Sequence, residues 1–465
     1  MNYADFLTSK TQWDGGSGFD PDDLPDFLFP FQRELVAWAL QMGRGAIFAD
    51  CGLGKTPMQL AWAEQVRKHT GKPVLVLTPL AVSFQTEVEA EKFGIGAGVS
   101  RDGTIVSDIT ITNYEQLEKF DTADFGGVVC DESSAIKAFD GKRRAIVTEF
   151  LRTMPYRLLC TATAAPNDYV ELGTSSEALG YLGHMDMLSR FFINQQKTAD
   201  TKGRWRGHSA PRIWEGQQWR FKGHAEEAFW RWVVSWARAV RRPSDLGYDD
   251  EGYDLPELIE RQHRVEVADI GEGVLFDAPA QGLQEERGEA RRSITERCER
   301  ATEVLLTAEP GIAWCHLNAE ADLLTKLIDG AVQISGSDSD AAKEEKLLAF
   351  GRGEIRVLVT KPVIGAWGLN WQHCHRMTYF PSHSYEQYYQ AVRRSWRFGQ
   401  VNPVEVDVIT TKGSVNVFRN LQRKSEAAAK MFDALTFHMR NALAVERGSD
   451  YPLPVQVPSW ISTTR

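Results

Sequence analysis

Short apolar runs recur along this chain, separated by segments with helical periodicity. Between about Pro30 and Gly180 they are Gly45–Ala49, Val74–Thr78, Ile109–Thr112, Val128–Cys130 and Arg157–Thr161, rich in Val, Ile and Leu. Runs this short and continuous predict strands buried on both faces, and their alternation with helices predicts a parallel sheet. After about residue 300 the pattern returns at Gly311–Cys315, Ala331–Ile334, Arg356–Thr360, Arg376–Phe380 and Val404–Ile409. The chain therefore reads as α/β, with two lobes built on parallel sheets and a mainly helical insertion between them. Its 465 residues suit two or three domains better than one core. The expected division is an N-terminal extension at 1–24, a first lobe at 25–185, an insertion and linker at 186–295, a second lobe at 296–440 and a tail at 441–465.

The insertion stands apart in composition. From Arg190 to Arg242 it carries twelve Lys/Arg against four Asp/Glu, and six of the chain's fourteen tryptophans (205, 214, 219, 230, 232 and 236). FWRWVVSWARAVRR at 229–242 reads as one helix with aromatics on more than one face. Two readings stay open: tryptophans packed as core, or exposed tryptophans stacking on unpaired bases while arginines neutralise phosphates. From Pro243 to about Glu289 the balance turns acidic and glycine-rich, as in a linker. The end, GSDYPLPVQVPSW, reads as an extended tail.

Overall charge changes the picture only modestly. A net charge of −10 argues against a uniformly basic nucleic-acid coat but not against a local basic groove. Six cysteines at 51, 130, 160, 298, 315 and 374 form no CxxC pair, so reduced core thiols are expected rather than zinc ligands or disulfides. No signal-peptide pattern and no run near the roughly 20 apolar residues of a membrane helix is visible, so a cytoplasmic protein with no membrane partner is expected.

Four segments carry candidate chemistry. In ADCGLGKT at 49–56, a strand end meets a loop and then a helix, which aims backbone N–H groups at phosphate oxygens. Gly52 and Gly54 would shape that loop, Lys55 would reach the β- and γ-phosphates, and the Thr56 hydroxyl would hold magnesium. Ala49 occupies the place of the usual first glycine. In VVCDESS, Asp131 follows a strand end 76 residues after Lys55, where it would bind magnesium, and Glu132 would polarise a water. TAT at 161–163 also ends a strand. Thr161 and Thr163 would either link a nucleotide site to the interlobe cleft or merely cap a turn. In QAVRRSWRFGQ, Arg394 and Arg397 share a helix face, with Gln390 one turn earlier, and arginine's planar fork suits γ-phosphate. Arg393 points elsewhere, toward the surface. Gln32, 23 residues before Lys55, carries an amide able to read adenine, although a lone glutamine is more often solvated.

In order, these blocks resemble the motifs of superfamily 2 helicases and translocases, above all Swi/Snf-type ATPases of the compact kind found in bacteria and their viruses. FQRELVAWAL resembles the family's adenine-reading element and ADCGLGKT its phosphate loop. LTPLAV at 77–82 resembles motif Ia, ITNYEQL at 111–117 motif Ib, DESS the DEAH-type box and TATAAPNDYVELG motif III. TKPVIGAWGLNWQHCHRMTYF at 360–380 resembles motif V, and QAVRRSWRFGQ motif VI. The resemblance spans about residues 25–425 and implies two RecA-like lobes with ATP and Mg2+ in the cleft between them. It implies that Lys55, Thr56, Asp131 and Glu132 bind or hydrolyse Mg-ATP, with Arg394 and Arg397 as arginine fingers and Gln390 near the γ-phosphate. Gly368 and Asn370 would couple the second lobe to nucleotide and nucleic acid. It makes Thr78, Pro79, Asn113, Thr161 and Thr163 candidates for nucleic-acid contact, beside Arg204, Arg206 and Arg212 of the basic insertion. The chain departs from the pattern at DESS, which lacks the family's His, and at Arg393, where the remodellers usually carry Asp.

The implied partner is DNA, duplex or branched favoured and single strands possible, with RNA less favoured. Three functions remain open: a DNA-stimulated ATPase translocating on duplex DNA, a strand-separating helicase, and a nucleotide-gated clamp with little turnover.

Overall fold

The computed structural model describes residues 17–138, 141–165, 168–194, 219–266, 283–365 and 370–448. Gly368, Arg204, Arg206 and Arg212 lie outside these residues, as does the tail beyond 448.

The expected strands form within two residues of their apolar runs. In the first lobe these are β1 (Arg44–Ala49), β2 (Val74–Thr78), β4 (Ile109–Asn113), β5 (Gly127–Asp131) and β6 (Tyr156–Cys160), joined by a short β3 (Ala97–Val99). An antiparallel ribbon follows, β7 (Phe192–Asn194) with β8 (Trp219–Phe221), and then β9 (Ala237–Val240) returns to the first sheet. That sheet is parallel throughout, in the order β3-β4-β2-β5-β6-β1-β9. The second lobe contains β10 (Leu258–Arg264), β11 (Gly311–Trp314), β12 (Ala331–Gln333), β13 (Val357–Thr360), β14 (Arg376–Tyr379) and β15 (Val404–Thr410), also all parallel, in the order β10-β15-β14-β11-β13-β12. Parallel pairing needs crossover connections, which the intervening helices provide.

Two stretches differ from the reading of the sequence: Leu258–Arg264, read as linker, is a strand paired with β15, and a second lies within the insertion. The 229–242 segment is not a single helix: the helix stops at Val234, and Ala237–Val240 pairs with β1 in the register Ala46↔Ala237 to Ala49↔Val240. Without it β1 would be an exposed edge of apolar residues, a liability that covering the edge removes. Arg238 is tolerated there because its Nη1 donates to Val234 O at 2.5 Å and its guanidinium lies 4.4 Å from the Trp38 ring centroid. Trp230, Trp232 and Trp236 are buried in the first lobe's core, so for these three the packing reading holds.

The helix Val415–Gly448 ties the lobes together. Leu421 belongs to the core of the second lobe, whereas Met431, Phe432, Leu435 and Met439 belong to that of the first. Ion pairs Arg241–Asp433 and Arg440–Asp245 flank the far end. Leu435→Ala should therefore destabilise the first lobe by about 2–5 kcal/mol, the usual cost of truncating a buried leucine. Urea unfolding followed by a probe in each lobe checks this; a loss confined to the second lobe would contradict it.

Candidate nucleotide site

The loop after β1 is shaped by two glycines. Gly52 (φ 90°) and Gly54 (φ 74°) both adopt the left-handed backbone that side chains disfavour. A Cβ on Gly52 would stand 2.9 Å from the backbone nitrogen of Phe398 in the second lobe, and one on Gly54 would stand 2.4 Å from Gln32 Nε2. Gly54 precedes the helix Lys55–Thr70, whose N-terminus therefore faces the loop. Lys55 Nζ donates to Ala49 O at 3.0 Å and Asp50 O at 3.4 Å, and Thr56 is half-buried. Gln32 is buried rather than solvated. Its Oε1 accepts from Phe29 N (3.0 Å) and its Nε2 donates to Leu53 O (2.9 Å), so it braces the loop from behind.

The acidic pair stands at the carboxyl end of β5, where open parallel sheets place ligands. Asp131 accepts from Gln59 Nε2 at 2.7 Å. Burial pushes its carboxyl up to about 6, against that donation. Glu132 is the one non-glycine residue with positive φ (51°) among the described residues, a strained backbone of the kind that persists when surroundings enforce it. The surroundings here are hydroxyls: Glu132 Oε1 accepts from Thr161 Oγ1 at 2.5 Å, Ser134 Oγ at 2.7 Å and Thr163 Oγ1 at 3.2 Å. Thr163 Oγ1 also lies 3.4 Å from Glu386 Oε1 of the second lobe. Thr161 and Thr163 thus hold Glu132, and Thr163 also reaches the second lobe, beyond capping a turn.

The second lobe brings its arginines to the same seam. Gln390, on the helix Tyr385–Val392, is 2% exposed, and neither its Oε1 nor its Nε2 has a hydrogen-bond partner. Arg394 is buried and donates from Nε to Gln390 O at 3.1 Å. Burial lowers its pKa, partly offset by Cys51, Glu132 and Asp131. Arg397 is half-buried with its Nε unpartnered, and burial together with the neighbouring Arg394 lowers its pKa to about 10.

Arg393 corrects the sequence reading. It does point away from Arg394, but it points into the first lobe: it is 4% exposed and ion-paired with Asp50. Tyr389 OH donates to the same carboxylate. Neither Asp50, Tyr389 nor Glu386 stood out in the sequence. The signal available was the acidic residue abutting the phosphate loop, with nothing to indicate its partner.

The nucleic-acid candidates scatter. Thr78 is buried against Ser83 (2.7 Å) and Asn113 caps a short helix through Gln116 N (3.1 Å), while Pro79 is half-buried and Asn370 exposed.

No protein-family model matches the chain, and no curated protein matches it in sequence. Solved structures do. The Sulfolobus solfataricus SWI2/SNF2 ATPase core in complex with dsDNA is 17% identical, with 91% of this chain and 98% of that chain covered and a TM-score of 0.40. The Mycobacterium smegmatis helicase Lhr, bound to ssDNA and AMP-PNP, is 16% identical over 85% of this chain, with a TM-score of 0.50; the match covers 48% of its own length. The chain shares its fold with that helicase.

Carboxyl-resolved NMR of the nucleotide-free protein should show Asp131 titrating near about 6. Gln59→Leu removes a donor that favours the ionised form and should move that titration upward. A titration in the ordinary aspartate range, unmoved by the substitution, would contradict the placement.

Proposed function

We propose that this chain is an ATP-driven nucleic-acid motor that hydrolyses ATP between its lobes and translocates on DNA. The observation that carries this reading is convergence: Lys55, Thr56, Asp131, Glu132, Gln390, Arg394 and Arg397, from three distant stretches of chain, collect at one seam. The unpartnered Gln390 amide and Arg397 Nε, both buried, fit a phosphate-bearing substrate, which would satisfy donors the protein leaves unused.

Each residue then has a defined task. Backbone N–H groups of the Gly52–Lys55 loop and the helix N-terminus hold phosphate oxygens. Lys55 exchanges the carbonyls of Ala49 and Asp50 for phosphate oxygens. Thr56 and Asp131 are the oxygen donors that would hold magnesium, which when bound shields the phosphate charge. Glu132, fixed by Ser134, Thr161 and Thr163, orients and deprotonates the attacking water. Arg394 and Arg397 stabilise charge developing on the transferred phosphoryl group. Gln32 braces the loop, and an adenine contact by the same amide would exchange one of its present bonds.

Thr163, within reach of both Glu132 and Glu386, is the route by which hydrolysis registers in the second lobe. Duplex or branched DNA is the favoured track, with forks, junctions or bound proteins as the objects remodelled. Asn370 and the basic insertion, with Arg204, Arg206 and Arg212, are proposed to contact it, and Gly368 to couple it to the site. A strand-separating helicase is the second reading, favoured by the likeness to Lhr, a helicase captured on ssDNA.

Steady-state ATP hydrolysis without nucleic acid and with single-stranded DNA, duplex DNA or RNA tests the proposal. Duplex DNA should stimulate most. Lys55→Ala should abolish turnover, and Glu132→Gln should lower it by about a hundredfold or more, the usual worth of a general base. Greatest stimulation by single strands moves the reading to the helicase. No stimulation, or full activity in Glu132→Gln, overturns the motor.

A further inference from the structure

The Asp50–Arg393 pair is placed where a mere surface ion pair would not be. Asp50 is anchored in the first sheet, its backbone N donating to Val240 O of β9 at 2.9 Å. It is the residue between β1 and the phosphate loop, and its Oδ1 accepts from Cys51 N at 2.6 Å. From the second lobe, Tyr389 OH donates to Oδ1 and Arg393 Nη2 to Oδ2, so both carboxylate oxygens are engaged across the seam. Arg393 is itself held tightly. Its Nη1 donates to Trp396 O at 3.1 Å, its guanidinium stands 4.7 Å from the Trp396 ring centroid, and Trp396 Nε1 donates to Pro256 O at 2.7 Å. Burial works against the Arg393 charge, yet Asp50 and Tyr389 hold its pKa above the ordinary value.

We propose that Asp50, Tyr389 and Arg393 form a positioning clamp that sets Arg394 and Arg397 against the phosphate loop for phosphoryl transfer. The inference rests on the ATPase reading above and adds to it residues that touch no substrate. Adjacent Cα atoms are about 3.8 Å apart, so fixing Arg393 to the base of the loop fixes the backbone that carries Arg394. The other cross-lobe ties, the Thr163–Glu386 contact and the helix Val415–Gly448, do not hold Arg393 to the base of the loop. A misplacement of about 1 Å at a reacting group costs on the order of a hundredfold in rate, so a rigid tie at this point is worth more than its contribution to stability. The alternative, that the pair serves only to hold the lobes together, predicts a different outcome.

The test uses the full chain and the variants Asp50→Asn, Arg393→Gln and the double variant. The double variant removes both buried charges at once, which proteins tolerate far better than stranding one. Two quantities are read for each: kcat at saturating ATP and nucleic acid, and the Kd of a fluorescent ADP analogue. A clamp predicts that each single variant and the double lose about the same, tenfold to about a hundredfold in kcat, because a broken tie cannot be broken twice. It also predicts a nucleotide Kd within about threefold of the unsubstituted protein, since uniform binding is not what the clamp supplies. The proposal is overturned by wild-type kcat in Arg393→Gln, by a loss that appears in Kd instead, or by recovery of kcat in the double variant, which would make the pair a stability element. Failure of the ATPase reading is separate: it would show as an unsubstituted protein without nucleic-acid-stimulated turnover, or as one indifferent to Lys55→Ala.

Discussion

Asp50 and Arg393 meet where two lobes exclude water, and the remaining chemistry is arranged around that contact. A charge taken out of water is costly unless it is paired and hydrogen-bonded. Here each partner has both: Arg393 lies on Trp396 and donates to its carbonyl, and Asp50 also accepts from Tyr389 and Cys51 N. Within a few residues stand Arg394 and Arg397, whose charges burial opposes. The seam therefore gathers three arginines, and the Nε of Arg397 is buried there without a hydrogen-bond partner. On the proposed reading, a phosphate-bearing substrate lies between the loop at Gly52–Thr56 and these arginines.

Across the same seam runs a second, weaker connection. The Thr163 hydroxyl has a single hydrogen, and it stands within reach of Glu132 Oε1 in the first lobe and Glu386 Oε1 in the second. It can serve only one fully at a time. In the proposed motor, a change in lobe position would alter the hydrogen-bond set of Glu132 and so couple hydrolysis to movement. The helix Val415–Gly448 supplies the mechanical counterpart, since its ends sit in the cores of different lobes. Relative motion of the lobes must bend it, slide it or unseat one end.

Much of the fold was legible because strands buried on both faces leave continuous apolar runs, as Val74–Thr78 and Val404–Thr410 do. Edge strands left weaker marks. Ala237–Val240 follows a real helix and continues its apolar character, so periodicity alone merged the two. LIERQHR at 258–264 is too polar to announce a strand and owes its state to pairing with β15. The local parts of the site, the glycines around Lys55 and the adjacent Asp131 and Glu132, were legible because their geometry is set within a few residues. Arg393 was not, because its partner lies 343 residues away and only tertiary structure brings them together. The reach of the last helix was hidden for the same reason: its apolar face shows that it packs, not against which lobe.

The most direct test of this account is an experimental structure of the protein with magnesium and a non-hydrolysable ATP analogue. The account requires the phosphates to lie between the Gly52–Thr56 loop and Arg394 and Arg397, with Asp131 on the metal side and the Gln390 amide engaged. Phosphates bound to one lobe with both arginines turned away, or bound elsewhere, would contradict it.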